Sequence, residues 1–313
     1  MGKKCIGIDV GGTSVKIGLF EVGGELVDKW EVKTRKEEQG RYILEDVAAS
    51  IKEQLAAKGI DMADVVGAGI GVPGPILPDG YVEVCVNLGW RDKNPVNELQ
   101  ELLGVPVRGG NDANVAALGE MWQGGGKGYT DIVMVTLGTG VGGGVIIDEK
   151  IIAGKHGLGG EIGHIHIRDE ETEHCNCGGV GCVEQVASAT GIAREARRKM
   201  AASQKPSAMR EFGDHVTAKN VLDAAKAGDE LAMEVMEVVG HYLGLALAQI
   251  ALTVDPEIFV IGGGVSKAGQ FLIDLIDKHY AEYMVISQNR AVIGLATLGN
   301  DAGIYGAARL ILD

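Results

Sequence analysis

Positive charge is in short supply in this chain. Its 29 Lys and Arg stand against 43 Asp and Glu, a formal charge of −14. Nucleic acids and anionic membrane surfaces are polyanions that bind through basic patches, so this balance argues against both as partners. Also missing is any apolar run of the ~20 residues needed to cross a bilayer. The opening Met1-Gly2-Lys3-Lys4-Cys5 leads into a β-branched strand pattern, not into the apolar core of a secretory signal. Cysteine is sparse: five residues, of which Cys5 and Cys85 stand apart from the others. Thiols so placed suit a reducing compartment, and a cytoplasmic protein is expected. No Gly-Lys-Thr phosphate loop occurs, and no G-x-G-x-x-G opens a helix. No stretch rich in Pro, Ser or charge divides the chain, so any domain boundary is soft. What remains is an ordinary globular composition, 46% hydrophobic and 23% charged, at a length of 313 residues that suggests two domains.

Glycine is plentiful, 49 residues, many in discrete clusters between apolar strands. Four of them fall between Glu161 and Glu184, together with three of the five cysteines. That stretch reads Glu161-Ile-Gly-His164, then Cys175-Asn-Cys177-Gly-Gly-Val-Gly-Cys182-Val-Glu184. Glycines at that spacing let a tight turn point three sulfurs at one centre. His164 would add a nitrogen and complete the tetrahedral set that zinc prefers, a closed and therefore structural site. His156, His166 and His174 compete with His164 on spacing alone. A pinned knot would hold Glu161 and Glu184 in set positions, whereas ordinary surface glutamates are simply solvated.

Along the chain, strand patterns at 5–20 and 131–147 each run strand, glycine turn, strand, which suggests an internal duplication with one sheet per half. The first turn is Asp9-Val-Gly-Gly-Thr13 and the second Leu137-Gly138-Thr139-Gly140. Further strands are expected at 26–34, 65–72, 105–107, 257–261 and 291–296. Helical spacing predicts helices over 42–57, 94–103, 111–121, 183–202, 218–227, 230–253, 268–280 and 301–312. Strands alternating with helices imply an α/β fold with mixed sheets.

The glycine turns expose backbone amides that can bind phosphate oxygens. Asp9 adds a carboxylate suited to Mg²⁺, and Thr13 and Thr139 add hydroxyls. A third turn, Gly262-Gly263-Gly264, follows a buried strand. Asn111-Asp112 closes a strand and opens a helix, where an Asn cap is ordinary and ligand contacts also gather. Asp112 can accept the proton of a substrate hydroxyl. Asn111, Glu161, His164 and Glu184 together suit a neutral polyhydroxylated ligand, since carboxylates accept from paired sugar hydroxyls.

These motifs, with Gly71-Val-Pro-Gly74-Pro75 and Asn111-Asp-Ala-Asn114, resemble the ROK family (repressors, open reading frames, sugar kinases) in order and spacing over essentially the whole chain. Within it the sequence is most similar to the bacterial ATP-dependent glucokinases. The resemblance implies an actin-like ATPase fold, ribonuclease H-like and hexokinase-like, with two domains around a cleft. Those domains would be 1–112 plus 300–313 (small) and 113–299 (large, with the zinc segment). It implies transfer of phosphate from Mg-ATP to the 6-hydroxyl of glucose, with Asp112 as base. Gly74, Asn111, Asp112, Glu161, His164 and Glu184 would hold the sugar. Asp9, Gly11, Gly12, Thr13, Gly138, Thr139, Gly140 and Gly263 would surround ATP and Mg²⁺. His164, Cys175, Cys177 and Cys182 would hold zinc, leaving the second ring nitrogen of His164 for the sugar. A homodimer or homotetramer is implied as well. Alternatives are a kinase for N-acetylmannosamine, N-acetylglucosamine, fructose or mannose, and a sugar-responsive regulator without catalysis. Regulators of this family carry an N-terminal helix-turn-helix, whereas a strand is expected here from Cys5. Glycine turns do not discriminate ATP from polyphosphate as donor. One position departs from the family pattern: Gly110 precedes Asn111 where the family often has Glu, which bears on hydroxyl selectivity.

Overall fold

Each of the two strand–glycine turn–strand patterns opens a five-stranded sheet. The computed structural model describes residues 2–287 and 289–312; Met1 and Asp313, the ends of the expected small domain, lie outside them. In the first sheet β1 (Lys4–Val10), β2 (Ser14–Glu21) and β3 (Leu26–Lys33) form an antiparallel meander. A single turn, α1 (Glu37–Gly40), and α2 (Ile43–Ala57) lead to β4 (Val65–Val72), which runs parallel to β1. A hairpin that the sequence patterns do not announce, β5 (Val82–Cys85) with β6 (Trp90–Lys93), precedes α3 (Pro95–Leu103). Then come β7 (Val107–Asn111), parallel to β4, and α4 (Asp112–Gln123). The strand expected at 105–107 thus begins two residues later and runs up to the helix.

The second sheet repeats the scheme. Its strands are β8 (Ile132–Leu137), β9 (Val141–Ile147) and β10 (Lys150–Ile151), then β11 (Ile258–Gly262) parallel to β8 and β12 (Val292–Leu295) parallel to β11. The orders are β3-β2-β1-β4-β7 and β10-β9-β8-β11-β12, the same order twice. Between β10 and β11 lie α5 (Val183–Ala187), α6 (Ala189–Ala202), α7 (Ala218–Lys226) and α8 (Glu230–Val254). α9 (Gln270–Tyr283) precedes β12, and α10 (Ala302–Leu310) ends the chain's regular structure. The single helix expected over 183–202 is interrupted at Ser188. The Ser188 hydroxyl accepts from the Gly191 amide at 3.0 Å and so caps α6. α8 is long and apolar enough to cross a membrane by length and composition, but most of that stretch is buried inside the protein. It is a core helix, packed by α5, α6, α7 and α9.

Two compact units result. The first comprises Met1–Thr130, Gly144–Gly160 and Leu298–Asp313, and the second Asp131–Gly143 and Glu161–Thr297. α4, α10 and most of β9 therefore go with the first sheet.

In the first unit strand alternation sets the site. Ile6, Ile8 and Val10 face one side, in a core with Ile43, Val47 and Ile51 of α2. Cys5, Gly7 and Asp9 face the other, under α10. Cys5 and Phe20 pack there against Ile304 and Ala308. α10 lies almost on the sheet backbone: a Cβ on Gly7 would collide with the Ile304 carbonyl, and one on Gly69 with that of Ala307. α10 meets α4 in the same way, Gly306 against the Val115 carbonyl and Gly119 against that of Ala302.

Gly306→Ala should therefore destabilise the protein by about 1–3 kcal/mol or more, since a well-packed contact has no room for an added methyl. Urea or thermal unfolding measures it. An unchanged midpoint would show that α10 can shift to make space.

Candidate active site

The first unit gathers Asp9, the Gly11–Thr13 turn, Gly74, Asn111 and Asp112. The turn is held from behind, with the Thr34 hydroxyl donating to the Gly11 carbonyl at 2.7 Å and the Thr34 amide to that of Thr13 at 3.0 Å. Asp9 is flanked by α10, where a Cβ on Gly303 would stand 2.7 Å from its carboxylate. Burial pushes the Asp9 carboxyl up to about 6; Lys16, its partner across the hairpin, pulls it down, and Asp112 pushes it further up. Asp9 and Asp112 thus feel one another's charge.

Asn111 caps α4: its side-chain oxygen accepts from the Ala113 and Asn114 amides at 3.0 and 3.1 Å. Its amide nitrogen donates to the Gly74 carbonyl at 3.1 Å, so the cap also fixes the Gly71–Pro75 loop. The Cys85 thiol donates to Pro73 of the same loop at 2.9 Å. Asp112 is the first residue of α4, where free amides and the helix dipole favour a carboxylate. Asn114, one turn on, is buried and donates to the Gly159 carbonyl at 3.2 Å. Gly110 packs against Val115, and a Cβ there would lie 2.7 Å from Val115 Cγ2, so a larger residue at this position would displace that side chain.

The second unit gathers the remaining predicted groups except His156, which lies in the first. Gly138–Gly140 forms a tight turn, closed by the Gly138 amide to the Gly140 carbonyl at 2.9 Å. The break between α5 and α6 anchors it. The Ala189 amide donates to the Gly138 carbonyl at 2.8 Å and the Thr190 hydroxyl to that of Thr139 at 2.6 Å. Gly263, at φ +84°, lies against Leu137, whose backbone a Cβ would strike. Next to it is a cavity of about 390 Å³ lined by Ala189, Thr217, Leu222, Gly264, Val265 and Ala268 among others. Only the Gly262–Gly264 turn marks that cavity in the sequence, because its walls come from three separate segments.

The cysteine segment closes as a knot. The Cys175 amide donates to the Gly179 carbonyl at 2.7 Å and the Gly178 amide to the Cys175 carbonyl at 2.8 Å. Gly181, at φ +73°, leaves no room for a side chain beside His166. The ligand atoms of His164, Cys175, Cys177 and Cys182 all lie within 4.8 Å of one another. Cys177 and Cys182 sulfurs are 3.7 Å apart, and Cys175 Sγ is 3.8 Å from His164 Nδ1. Those separations are close to the edges, about 3.5–3.8 Å, of a tetrahedron of thiolates and imidazole around zinc. Burial pushes the Cys175 and Cys182 thiols up, Cys182 to about 12, while the Gly179 amide leads in drawing Cys177 down. Two of the three would thus stay protonated without a cation, which is what a thiolate-binding metal supplies. His166 instead uses its ring nitrogens on the Val180 carbonyl at 2.7 Å and Asp169 at 2.8 Å, and His174 Nδ1 faces the Gly178 carbonyl at 3.1 Å.

His164 has its other face on Glu161, with Nε2 3.9 Å from Oε2. Glu184, in the first turn of α5, spans two parts of this unit. Its Oε2 accepts from the Val141 amide at 2.9 Å, just past the glycine turn, while Oε1 lies 3.7 Å from Cys175 Sγ. Sequence patterns also miss what braces the knot. Glu171, buried, is clamped by Arg194 at 3.1 Å and Arg198 at 2.9 Å, both from α6. These charges hold its carboxyl down to about 2, the Arg198 hydrogen bond contributing most.

The sequence matches the ROK family over residues 5–313. A glucokinase from Halalkalibacterium halodurans is 43% identical over 310 residues, 98% of this chain and 94% of that one. A solved ROK family glucokinase from Streptomyces griseus, in complex with glucose and AMPPNP, gives a TM-score of 0.72 at 33% identity, covering 98% of both chains. A solved ROK hexokinase from Thermus thermophilus gives 0.81 at 30% identity, covering 97% of this chain and 96% of that one.

Asp9 carries a pH signature. Its folded value of about 6 lies above the ordinary 3.8, so the folded state holds the proton more tightly than the unfolded chain. That contribution is complete below the ordinary value and lost as pH rises through the folded one. Asp9→Asn should raise the stability of the ligand-free protein near neutral pH by roughly 1–3 kcal/mol and flatten its pH dependence in that window. Chemical denaturation across pH measures both, and a less stable variant at neutral pH would show that the Asp9 charge is well solvated.

Proposed function

The chain belongs to the ROK family and has the actin-like ATPase fold, and we propose that it transfers the terminal phosphoryl group of Mg-ATP to the 6-hydroxyl of glucose. The products are glucose 6-phosphate and ADP. The observation that carries this reading is the placement of Asp112 at the head of α4, within the field of Asp9. On this reading one carboxylate takes a hydroxyl proton and the other holds a hard cation. Phosphoryl transfer asks for those two things and for positioning.

On this reading Asp112 accepts the proton of the sugar's 6-hydroxyl as the oxygen attacks phosphorus. Gly74, Asn111, Glu161, His164 and Glu184 are the groups that would take the sugar's hydroxyls. Backbone amides of Gly11, Gly12, Thr13, Gly138, Thr139 and Gly140 receive the phosphates, and the cavity beside Gly263 takes the adenine ring. Mg²⁺, held through Asp9, neutralises phosphate charge when bound. Zinc on His164, Cys175, Cys177 and Cys182 serves as a fixed support. His164, whose Nδ1 faces the sulfurs, would hold it with that nitrogen and keep Nε2 toward Glu161, the logic by which a metal sets a ring's orientation.

Two measurements decide the matter. Asp112→Asn should lower kcat by about 10²–10⁴-fold, the range of general-base catalysis, while glucose still binds. A panel of glucose, mannose, fructose, N-acetylglucosamine and N-acetylmannosamine, assayed with ATP and with polyphosphate, should favour glucose and ATP. Near wild-type turnover in the variant, or preference for another sugar, would overturn the corresponding part. Cys177→Ser should reduce zinc from about one equivalent per chain, the content of one closed site, and weaken glucose binding with it. A zinc-free protein of full activity would show that the knot needs no metal.

A further inference from the structure

Away from the groups assigned above, α8 and α9 bring two histidines and a glutamate to one point. Gly240 and Gly244 make this possible. A Cβ on Gly240 would lie 2.7 Å from Leu275 Cγ, and one on Gly244 2.6 Å from the Tyr280 amide nitrogen. α9 therefore runs close against α8, and His241, next to Gly240, meets His279 with ring centroids 5.9 Å apart. Glu282 stands one turn beyond His279 on α9. The ligand-capable atoms of His241, His279 and Glu282 all lie within 4.8 Å of one another.

His279 is the central group and is only 8% exposed. Its Nε2 is 2.7 Å from Glu237 Oε2, and its Nδ1 is 3.0 Å from Glu282 Oε2. Lys278 grips both oxygens of Glu237, at 2.9 and 2.8 Å, so Glu237 is an ionised acceptor. An imidazole that donates Nε2–H to Glu237 turns the lone pair of Nδ1 toward Glu282. A carboxylate there is also only an acceptor. The contact is completed either by a second proton or by a cation. A carboxylate behind one ring nitrogen is the usual support of a histidine whose other nitrogen binds metal. His241 adds a second imidazole, with the Tyr283 hydroxyl 3.2 Å from its Nδ1.

We propose that His241, His279 and Glu282 form a binding site for a divalent transition-metal ion of the zinc and nickel class, distinct from the cysteine knot, that clips α9 to α8. Two imidazoles and a carboxylate suit such ions and not Mg²⁺ or Ca²⁺, which take oxygen ligands. Three protein ligands leave a coordination position open. His241 also lines, with Glu237, a surface cavity of about 1040 Å³.

The test uses the untagged chain with its cysteine knot already loaded with zinc, titrated calorimetrically with ZnCl₂ and separately with NiCl₂. The wild-type protein takes up one further equivalent, and its unfolding midpoint rises with free metal, as mass action requires. His241→Gln and Glu282→Gln, at a half-buried and an exposed position, each weaken that uptake by about tenfold or more and lose the midpoint shift. Both keep wild-type sugar phosphorylation, which shows that they are folded. No further equivalent on the wild-type protein, or uptake by both variants equal to wild type, overturns the proposal.

Discussion

The first unit depends on backbone-to-backbone approach. α10 can lie on β1 and β4 only because Gly7 and Gly69 present no side chain beneath it, and α4 can lie on α10 only because Gly119 and Gly306 face the opposing carbonyls. Those contacts fix where α4 begins. They place Asp112 close enough to raise the pKa of Asp9, and Gly303 completes the wall behind that carboxylate. Close packing is stiff, so two carboxylates that would otherwise move apart in water are held within each other's field. The cost is stored in Asp9, whose charge the fold tolerates poorly without a counter-ion.

The second unit uses a different device. One side chain, Glu184, ties the glycine turn at Val141 to the thiol of Cys175. The turn is gripped from its other side by Ala189 and Thr190, and the knot is braced by the Arg194 and Arg198 clamp on Glu171. The Gly138–Gly140 turn and the Cys/His cluster are thereby linked through one side chain.

Much of this was legible in the residues. Apolar, β-branched runs beside glycine turns marked β1, β2, β4 and β8, the Asn cap marked the start of α4, and the Cys-x-Cys spacing with its glycines marked the knot. Those signals are local, carried within a few positions of one another. What was illegible is long-range. The Glu171 clamp joins residues more than twenty positions apart, and the cavity beside Gly263 draws walls from segments spread over eighty. The β5–β6 hairpin was missed because its strands are four residues each and carry charged positions at their centres. The interruption at Ser188 was missed because apolar spacing continues in phase through it; only the hydroxyl's capping bond reveals the stop. Of the four candidate histidines, His164 is the one whose ring nitrogen lies with the three sulfurs, while His166 and His174 face backbone carbonyls and Asp169, something spacing does not encode.

α10 is the last regular element, yet it covers the sheet that the first residues build. A ribosome releases β1 to β7 long before residues 302–310 exist. Through that interval the Gly7–Gly69 face of the sheet stands uncovered, and α4 has nothing to lean on. The second unit, uninterrupted from Glu161 to Thr297, is finished first. Translation therefore supplies the last residues of the second unit before the helix that covers the first.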